Sequence, residues 1–186
     1  MLKGKNVIIR EKKISDAADD YAWRSDDELA RLDAAVILRI PFKHFLTSYT
    51  DEISRSSPRR QRFAIDTLDG KHVGNCMYYN IDQVKGEAEL GIMIGDRDYW
   101  NRGYGTDAVA TLLDYIFNGA GIERVYMNTL EWNVRAQRCF EKCGFATCRR
   151  RRRFNGTFVV MEIYRHSWLK RSSSKDEVAI TEKQEG

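Results

Sequence analysis

Two glycines flank Tyr104 directly before an amphipathic helical pattern, in the stretch Arg102-Gly103-Tyr104-Gly105-Thr106. The amides in the first turn of a helix have no partner within the helix, so they are available to an anion. Glycine lets a ligand approach the backbone closely, and the helix dipole favours negative charge there. The stretch predicts a diphosphate site to which Arg102 adds a cation, although a tight turn without a ligand has the same composition.

Glu89 is the candidate general base. It lies in the strand-like segment Glu-Ala-Glu-Leu-Gly-Ile-Met-Ile-Gly that ends at Gly95, and it could remove a proton through a water molecule. Two structural alternatives remain open for this residue. It could be an acid on the solvent face of a strand, or it could pair with an arginine.

Five consecutive arginines, Arg149–Arg153, form the densest charge in the chain, whose formal net charge is only +4. Such a run could attract an acidic substrate or nucleic acid. Successive side chains of a strand point to opposite faces, so the run would divide between two surfaces. We therefore favour a solvated, partly paired strand.

Several classes of protein are disfavoured by composition. The four cysteines, Cys76, Cys139, Cys143 and Cys148, form no Cys-x-x-Cys pair, which indicates reduced thiols and no metal site. The first residues contain only a three-residue apolar run between charges, so we expect neither a signal peptide nor a membrane span. A cytoplasmic location is the resulting expectation.

The elements that must position these residues follow from periodicity and turn signals. Residues 6–10 predict a strand, and residues 14–56 predict a helical insertion after it. Asp69-Gly70 predicts a hairpin, which a third strand containing Glu89 follows. Apolar residues then recur at helical spacing on one face: Ala108, Val109, Leu112, Leu113, Ile116 and Phe117.

The remaining elements are a strand over residues 124–130, an amphipathic helix that Gly144 ends, and a hairpin turning at Asn155-Gly156. That turn predicts Arg149 opposite Glu162. The fold class is mixed α/β, with a mainly antiparallel sheet of about seven strands flanked by helices. We expect one domain over residues 1–170 and a disordered tail over residues 171–186.

Two segments resemble the signatures of GNAT-type N-acetyltransferases. Trp-Asn-Arg-Gly-Tyr-Gly-Thr, residues 100–106, is similar to the family's Q/R-x-x-G-x-G/A loop. Asn-Val-Arg-Ala-Gln-Arg-Cys-Phe-Glu-Lys-Cys-Gly-Phe, residues 133–145, is similar to its N-x-x-A and Y-E-K-x-G-F segment. The resemblance covers residues 5–169 and is nearest to the ribosomal-protein N-terminal and polyamine acetyltransferase branch.

The resemblance implies the GNAT acyl-CoA N-acyltransferase fold and acetyl-CoA as acetyl donor, bound where two strands splay apart. By position, backbone groups of Ile92, Met93 and Ile94 would pair with pantetheine. Asn133 would hydrogen-bond it, and Phe140 would pack near the thioester. The remaining positions imply phosphate contacts, from Arg102, Gly103, Tyr104, Gly105 and Thr106 to the pyrophosphate and from Arg135 or Lys142 to a phosphate.

The sequence departs from the family pattern at two positions. Trp100 stands where the broader family has Gln or Arg, so the loop loses one side-chain donor. Phe140 stands where many members have the tyrosine that protonates the leaving thiolate. A general acid is typically worth roughly 10²–10⁴ in rate, so we expect a slower or differently assisted reaction.

The resemblance implies acetyl transfer from acetyl-CoA to a primary amine, either a peptide N-terminus or a small molecule such as a polyamine. The alternatives are a catalytically silent acyl-CoA-binding regulator and, with less support, a nucleic-acid-binding protein using Arg149–Arg153. The partner is then a small amine or a peptide, without membrane, and a homodimer is left open. Six helical residues in the insertion either line an acceptor groove or pack internally: Tyr21, Trp23, Arg24, Phe42, His44 and Phe45.

Overall fold

The structure is a computed structural model that describes residues 1–55, 57–153 and 156–171. Its described part contains eight strands, one more than the predicted number, because a two-residue strand precedes the first predicted one. The strands are β1 (Leu2–Lys3), β2 (Val7–Glu11), β3 (Arg60–Thr67), β4 (His72–Asp82), β5 (Glu87–Ile94), β6 (Arg124–Leu130), β7 (Ala146–Arg153) and β8 (Gly156–Tyr164).

Five helices follow the predicted order, with bounds α1 (Ala17–Ser25), α2 (Asp27–Leu32), α3 (Phe42–Ser54), α4 (Tyr104–Gly119) and α5 (Val134–Cys143). Short 3-10 helices precede α1 and α4, at Ile14–Asp16 and Arg97–Tyr99. A last helical segment, residues 165–171, which we call α6, was not predicted. The described part holds no helix with the length and apolarity needed to cross a membrane.

All strands belong to one sheet in the order β1-β2-β3-β4-β5-β6-β8-β7. Neighbours are antiparallel except β5 and β6, which α4 connects as a parallel crossover. The predicted apolar face of α4 is buried in the main core, together with Ala88, Leu90 and Val125 of the sheet. The mixed α/β fold with a mainly antiparallel sheet is thereby confirmed.

The pairing of β5 with β6 is short. It runs only from Glu87↔Arg124 to Glu89↔Tyr126, although β5 continues to Ile94 and β6 to Leu130. Beyond Glu89 the two strands therefore separate, and one edge of β5 faces a cleft. This fork is the architectural feature on which the candidate site is built.

Buried ion pairs hold the helical insertion against the sheet. Arg10 of β2 donates to Asp16 before α1, with two contacts of 2.8 Å, and to Asp66 of β3 at 2.6 and 2.9 Å. Lys12 contacts Asp20 of α1 and Asn75 of β4. Because buried charge is costly unless paired, these contacts determine where α1 can sit.

Gly95 provides the second attachment of the insertion. A Cβ at this position would lie 2.1 Å from Cδ2 of Trp23, so only glycine allows the indole ring of α1 to lie on the end of β5. The ring also packs on His72, with centroids 4.8 Å apart. Trp23 is thus a packing residue that brings α1 and α2 over the end of the cleft.

The predicted register of β7 and β8 is wrong by two residues. Arg149 lies opposite Val160, Arg151 opposite Phe158 and Arg153 opposite Gly156, with a bulge at residue 148. Glu162 instead accepts from Arg124 at 2.7 Å. Because a shift of two residues preserves side-chain direction, each arginine stays on its predicted face.

Two further predictions fall partly outside the described residues. The predicted turn at Asn155-Gly156 includes residue 155, which lies outside the described ranges, and so does the predicted tail beyond residue 171. Arg171 itself is in α6, and its guanidinium donates to the carbonyl of Lys142 at 3.1 Å.

We predict that Asp16→Asn lowers the free energy of unfolding by about 3 kcal/mol, because it breaks a buried ion pair. Burial works to raise the pKa of Asp16, but the bonds from Arg10 and the Lys13 amide outweigh it, so its pKa is lowered. Its contribution is therefore present above the unfolded-state pKa and lost as pH falls through the folded-state value.

Urea unfolding at pH 7 and pH 3 tests this expectation. The difference between parent and variant should shrink at the lower pH. Arg39→Gln is the matched control, because its pair with Asp27 is largely exposed and should contribute less than about 1 kcal/mol. Equal losses in the two variants would contradict the assignment of Asp16 as an anchor.

Candidate active site

The fork between β5 and β6 opens into a cleft of about 600 Å³. Gly95 N–H donates to Val73 of β4, so alternation along β5 directs the backbone groups of Met93 toward β4. The backbone groups of Ile92 and Ile94 then face the cleft. Of the three residues predicted to pair with a pantetheine arm, Ile92 and Ile94 therefore have backbone groups that a ligand in the cleft can reach, whereas Met93 does not.

Trp100 closes the far end of this edge. Its indole N–H donates to the carbonyl of Ile94 at 2.7 Å, and the guanidinium of Arg135 lies 3.4 Å from its ring centroid. Trp100 stands where the broader family has Gln or Arg, so the loop has one phosphate donor fewer. In its place, Trp100 makes a contact that orients the end of β5. The sequence shows the departure at this position but contains no signal for the partner.

The glycine turn has the predicted geometry at the beginning of α4. Gly103 is the N-cap with φ of +85°, a conformation that favours glycine. Gly105 follows in the first turn, where an added Cβ would lie 3.5 Å from the nearest protein atom, the Cys139 sulfur. Gly103 is thus needed for backbone conformation, whereas the protein itself leaves room for a side chain at Gly105.

Three cations on one face of α5 line the same cleft: Arg135, Arg138 and Lys142. They are spaced three and four residues apart, which places them on one helical face beside the unpaired amides of α4. Arg138 was missed, although its spacing from Arg135 and Lys142 was a usable signal. Gly103, Gly105 and Thr106 line the cleft, whereas Arg102 and Tyr104 do not.

The side chain of Asn133 has two partners inside the protein. Its oxygen caps α5 by accepting the Ala136 amide at 3.2 Å, and its Nδ2 donates to the carbonyl of Leu32 at 3.3 Å. The residue thereby links the beginning of α5 to the end of α2 at the cleft wall. A bond to a pantetheine arm would have to share or replace one of these contacts.

Phe140 also lines the cleft, but it is 2% exposed and packs edge-on against Phe145, with centroids 5.3 Å apart. Its ring supplies an apolar wall without a proton to donate. Phe140, which stands where many family members have tyrosine, is therefore packed into the wall of the site.

Glu89 lies at the apex of the fork, as the last β5 residue paired with β6. It is 8% exposed, and both carboxylate oxygens accept hydrogen bonds, from Asn80 at 2.9 Å and Asn128 at 2.6 Å. Asn80 reaches it from a bulge in β4 with φ of +51°, a conformation that is strained for most residues. Neutral amide donors orient this carboxylate without neutralising its charge.

Two titratable residues that line the cleft were missed by sequence reasoning. Tyr79 lies opposite Glu89 on β4, and burial together with the nearby carboxylate raises the pKa of its hydroxyl. Asp33 ends α2 and lines the cleft, where surrounding protein raises the pKa of its carboxyl to about 6. Asp33 is exposed to solvent, and water limits the effect of burial on this pKa.

Of the six insertion residues considered for an acceptor groove, none lines the cleft. Phe45 is buried with Tyr21 packed on it, and Arg24 lies over the Phe45 ring at 5.7 Å. The internal-packing alternative therefore describes Phe45 and Tyr21, whereas Phe42 and His44 are exposed outside the cleft. Within the described ranges, no group of three or more His, Cys, Asp or Glu side chains is arranged to hold a metal ion.

Comparison with known proteins gives consistent matches. Residues 6–146 match the protein-family model described as Acetyltransferase (GNAT) domain. "Probable N-acetyltransferase YjcK" of Bacillus subtilis is 24% identical over 156 residues, which is 78% of this chain and 83% of that protein. "Uncharacterized N-acetyltransferase p20" of Bacillus licheniformis is 37% identical over 65 residues, only 34% of this chain and 36% of that protein.

Among solved structures, the chain is similar to a Vibrio cholerae spermidine N-acetyltransferase in complex with CoA and spermine. The TM-score is 0.77 at 18% identity, over 88% of this chain and 98% of that one. The aminoglycoside acetyltransferase AAC(6')-Ib in complex with coenzyme A gives 0.73 at 19% identity, over 88% and 98%. At these identities the likeness shows the fold alone.

We predict that Gly105→Val weakens acetyl-CoA binding by about tenfold or more while the protein stays folded. The added methyl groups occupy space beside the first-turn amides, which a diphosphate would need. Isothermal titration calorimetry measures the affinity, and thermal unfolding checks the fold. Gly119→Val at the other end of α4 is the matched control, since nothing beyond its own helical neighbours lies within 4 Å of its Cβ position. Unchanged affinity in folded Gly105→Val would exclude the phosphate site.

Proposed function

Because the chain belongs to the GNAT acetyltransferase family, we propose that it transfers an acetyl group from acetyl-CoA to a primary amine. The amine is a small molecule or a peptide N-terminus. The observation that carries the proposal is one continuous cleft, in which a cation-flanked helix N-terminus leads along an unpaired strand edge to a buried carboxylate. We further propose residues 1–170 as the transferase unit, with residues 14–56 on the acceptor side.

The residues along the cleft fit the parts of acetyl-CoA in order. The first-turn amides of α4 suit the pyrophosphate, together with Arg135, Arg138 and Lys142. Backbone groups of Ile92 and Ile94 suit the amides of pantetheine, in the manner of an added strand. The thioester end would then reach the fork near Glu89. The two solved structures compared above are complexes with coenzyme A, which supports this fit.

Acetyl transfer here needs no covalent enzyme intermediate. The lone pair of a neutral amine attacks the thioester carbonyl carbon, the new C–N bond forms, and the C–S bond breaks to release the CoA thiolate. The nitrogen loses one proton, and the thiolate gains one. Backbone N–H groups at the fork are suited to stabilise the developing oxyanion.

The absence of a hydroxyl at Phe140 slows the reaction without preventing it. A thiol with a pKa of about 8.5 leaves readily as a thiolate near neutral pH. Proton removal from the amine is the larger demand, because α-amino groups titrate near ~8 and lysine-like amines near ~10.4. Glu89, acting through water, is the proposed base.

A catalytically silent acyl-CoA-binding protein is the second candidate function, and the buried Phe140 favours it. Measurement of CoA thiol release with a panel of polyamines, amino acids and N-terminal peptides separates the two. Amine-dependent release supports transfer, whereas binding of acetyl-CoA without release from any amine supports the silent alternative. A nucleic-acid role for Arg149–Arg153 is weakened because the run does not form one surface. Arg150 pairs with Glu131, whereas Arg149, Arg151 and Arg153 lie beside the fork.

We predict that Glu89→Gln lowers kcat/KM by about 10²–10⁴-fold, the usual contribution of a general base, with little change in acetyl-CoA affinity. Glutamine keeps the size and one acceptor oxygen but cannot take the proton. Thiol-release kinetics with saturating acetyl-CoA measure the loss. Glu123→Gln is the control, because Glu123 is an exposed acid that pairs with Arg165 at 3.5 Å and does not line the cleft. A lower melting temperature with unchanged kinetics would instead make Glu89 structural.

The raised pKa of Asp33 predicts a second feature of the pH profile. If the ionised carboxylate helps to bind the amine, log kcat/KM rises with a slope of about two below the raised pKa of Asp33 and about one between that pKa and the pKa of the amine. The remaining slope reflects deprotonation of the amine itself. Asp33→Asn should show a slope of about one throughout, and a retained break in that variant would exclude Asp33.

A further inference from the structure

A second cavity of about 230 Å³ adjoins the cleft at the apex of the fork. The two share Glu89, Asn128 and Arg153. The second cavity lies on the sheet face that carries Glu87 and Glu89, whereas the intervening Ala88 packs in the core with α4. An amine that reaches the thioester from the face opposite α4 would place the rest of its structure in this second cavity.

Alternate residues of the arginine run line this second cavity: Arg149, Arg151 and Arg153. They are spaced two residues apart on β7, so their Cα atoms extend over about 13 Å. Arg149 and Arg151 have no ion pair among the residues that the structure describes, and Arg153 lies over the Phe158 ring at 5.3 Å. The wall therefore presents three guanidinium groups without a carboxylate in contact.

The carboxylates near this wall have other partners. Glu87 and Glu162 both accept from Arg124, at 2.6 and 2.7 Å, and Glu89 accepts from the two asparagines. The lining of the second cavity thus holds four arginines and two carboxylates, and Glu162 adjoins it through its pair with Arg124. The excess positive charge is concentrated in the part of the second cavity away from the cleft, where no carboxylate contacts Arg149 or Arg151. Guanidinium groups bind carboxylates in a planar, two-bond geometry, which makes them suited to an acidic ligand.

We infer that the acceptor is an amine that also carries carboxylate groups, either an acidic peptide N-terminus or an acidic amino acid, and not a polyamine. The inference rests on the proposed acetyl transfer and names its substrate class. A polyamine would place additional ammonium groups beside unpaired arginines. The likeness in fold to a spermidine acetyltransferase therefore does not extend to acceptor charge.

Thiol-release kinetics with acceptors of different charge test the inference. The peptides Ser-Glu-Glu-Gly and Ser-Gln-Gln-Gly are nearly isosteric and differ in charge, and Ser-Lys-Lys-Gly adds the opposite charge. Glutamate, glutamine and spermidine form the small-molecule series. We expect kcat/KM to favour the acidic acceptor over the neutral one by about tenfold, and less so at high salt. The series with the larger preference distinguishes the peptide source from the amino-acid source.

The Arg151→Glu variant should invert this preference while leaving acetyl-CoA affinity unchanged, because Arg151 lines the second cavity but not the cleft. Arg152→Glu is the matched control, with the same charge change on a neighbouring residue of β7 that lines neither cavity. It should retain the preference of the parent. Calorimetry and thermal unfolding of both variants separate a change in specificity from a loss of fold.

Three outcomes would overturn the inference. Spermidine or the lysine peptide could be the best acceptor of the parent, or Arg151→Glu could leave the acidic-to-neutral ratio unchanged. Either result removes the arginines as specificity residues while acetyl transfer itself stands. If no amine of any charge releases CoA, the proposed function is wrong, and the inference falls with it.

Discussion

The separation of β5 from β6 after Glu89 is the constraint on which the rest of this structure depends. Two adjacent strands that stop pairing inside a sheet leave backbone N–H and C=O groups that must find other partners. Here Trp100 takes the carbonyl of Ile94, while the intervening edge at Ile92 remains available to a ligand. The unpaired polar groups of this sheet edge thus point into a bounded cleft, which makes them suited to bind a ligand.

The elements around the fork act at its two ends. At one end, Gly103 allows α4 to begin with its amides toward the cleft, and cations of α5 surround the same point. At the other end, two asparagines orient a buried carboxylate without cancelling its charge. A group of cations and a buried carboxylate therefore lie at opposite ends of one path, an arrangement that suits the proposed donor, which is anionic at one end and reactive at the other.

The helical insertion is positioned by electrostatics as much as by apolar packing. Arg10 and Lys12 are paired with carboxylates from the insertion, and the Trp23 ring lies where any side chain at residue 95 would stand. These contacts place the end of α2 at the cleft wall, with Asp33 in the cleft and Leu32 bonded to Asn133. The first strands of the chain thereby influence a site built mainly from its second half.

Local patterns within residues 99–145 were enough to predict much of the candidate site, because glycine conformation, helix capping and apolar periodicity depend on residues close in the sequence. The same reasoning predicted the order of elements, the buried face of α4 and the splitting of Arg149–Arg153 between two faces. Register and side-chain partners depend on distant segments, so the sequence could not show the bulge at residue 148 or the Asn80–Glu89–Asn128 contacts. The tertiary structure alone brought Asp33 to the cleft and set three arginines beside the fork, because only sheet order and packing make those residues neighbours.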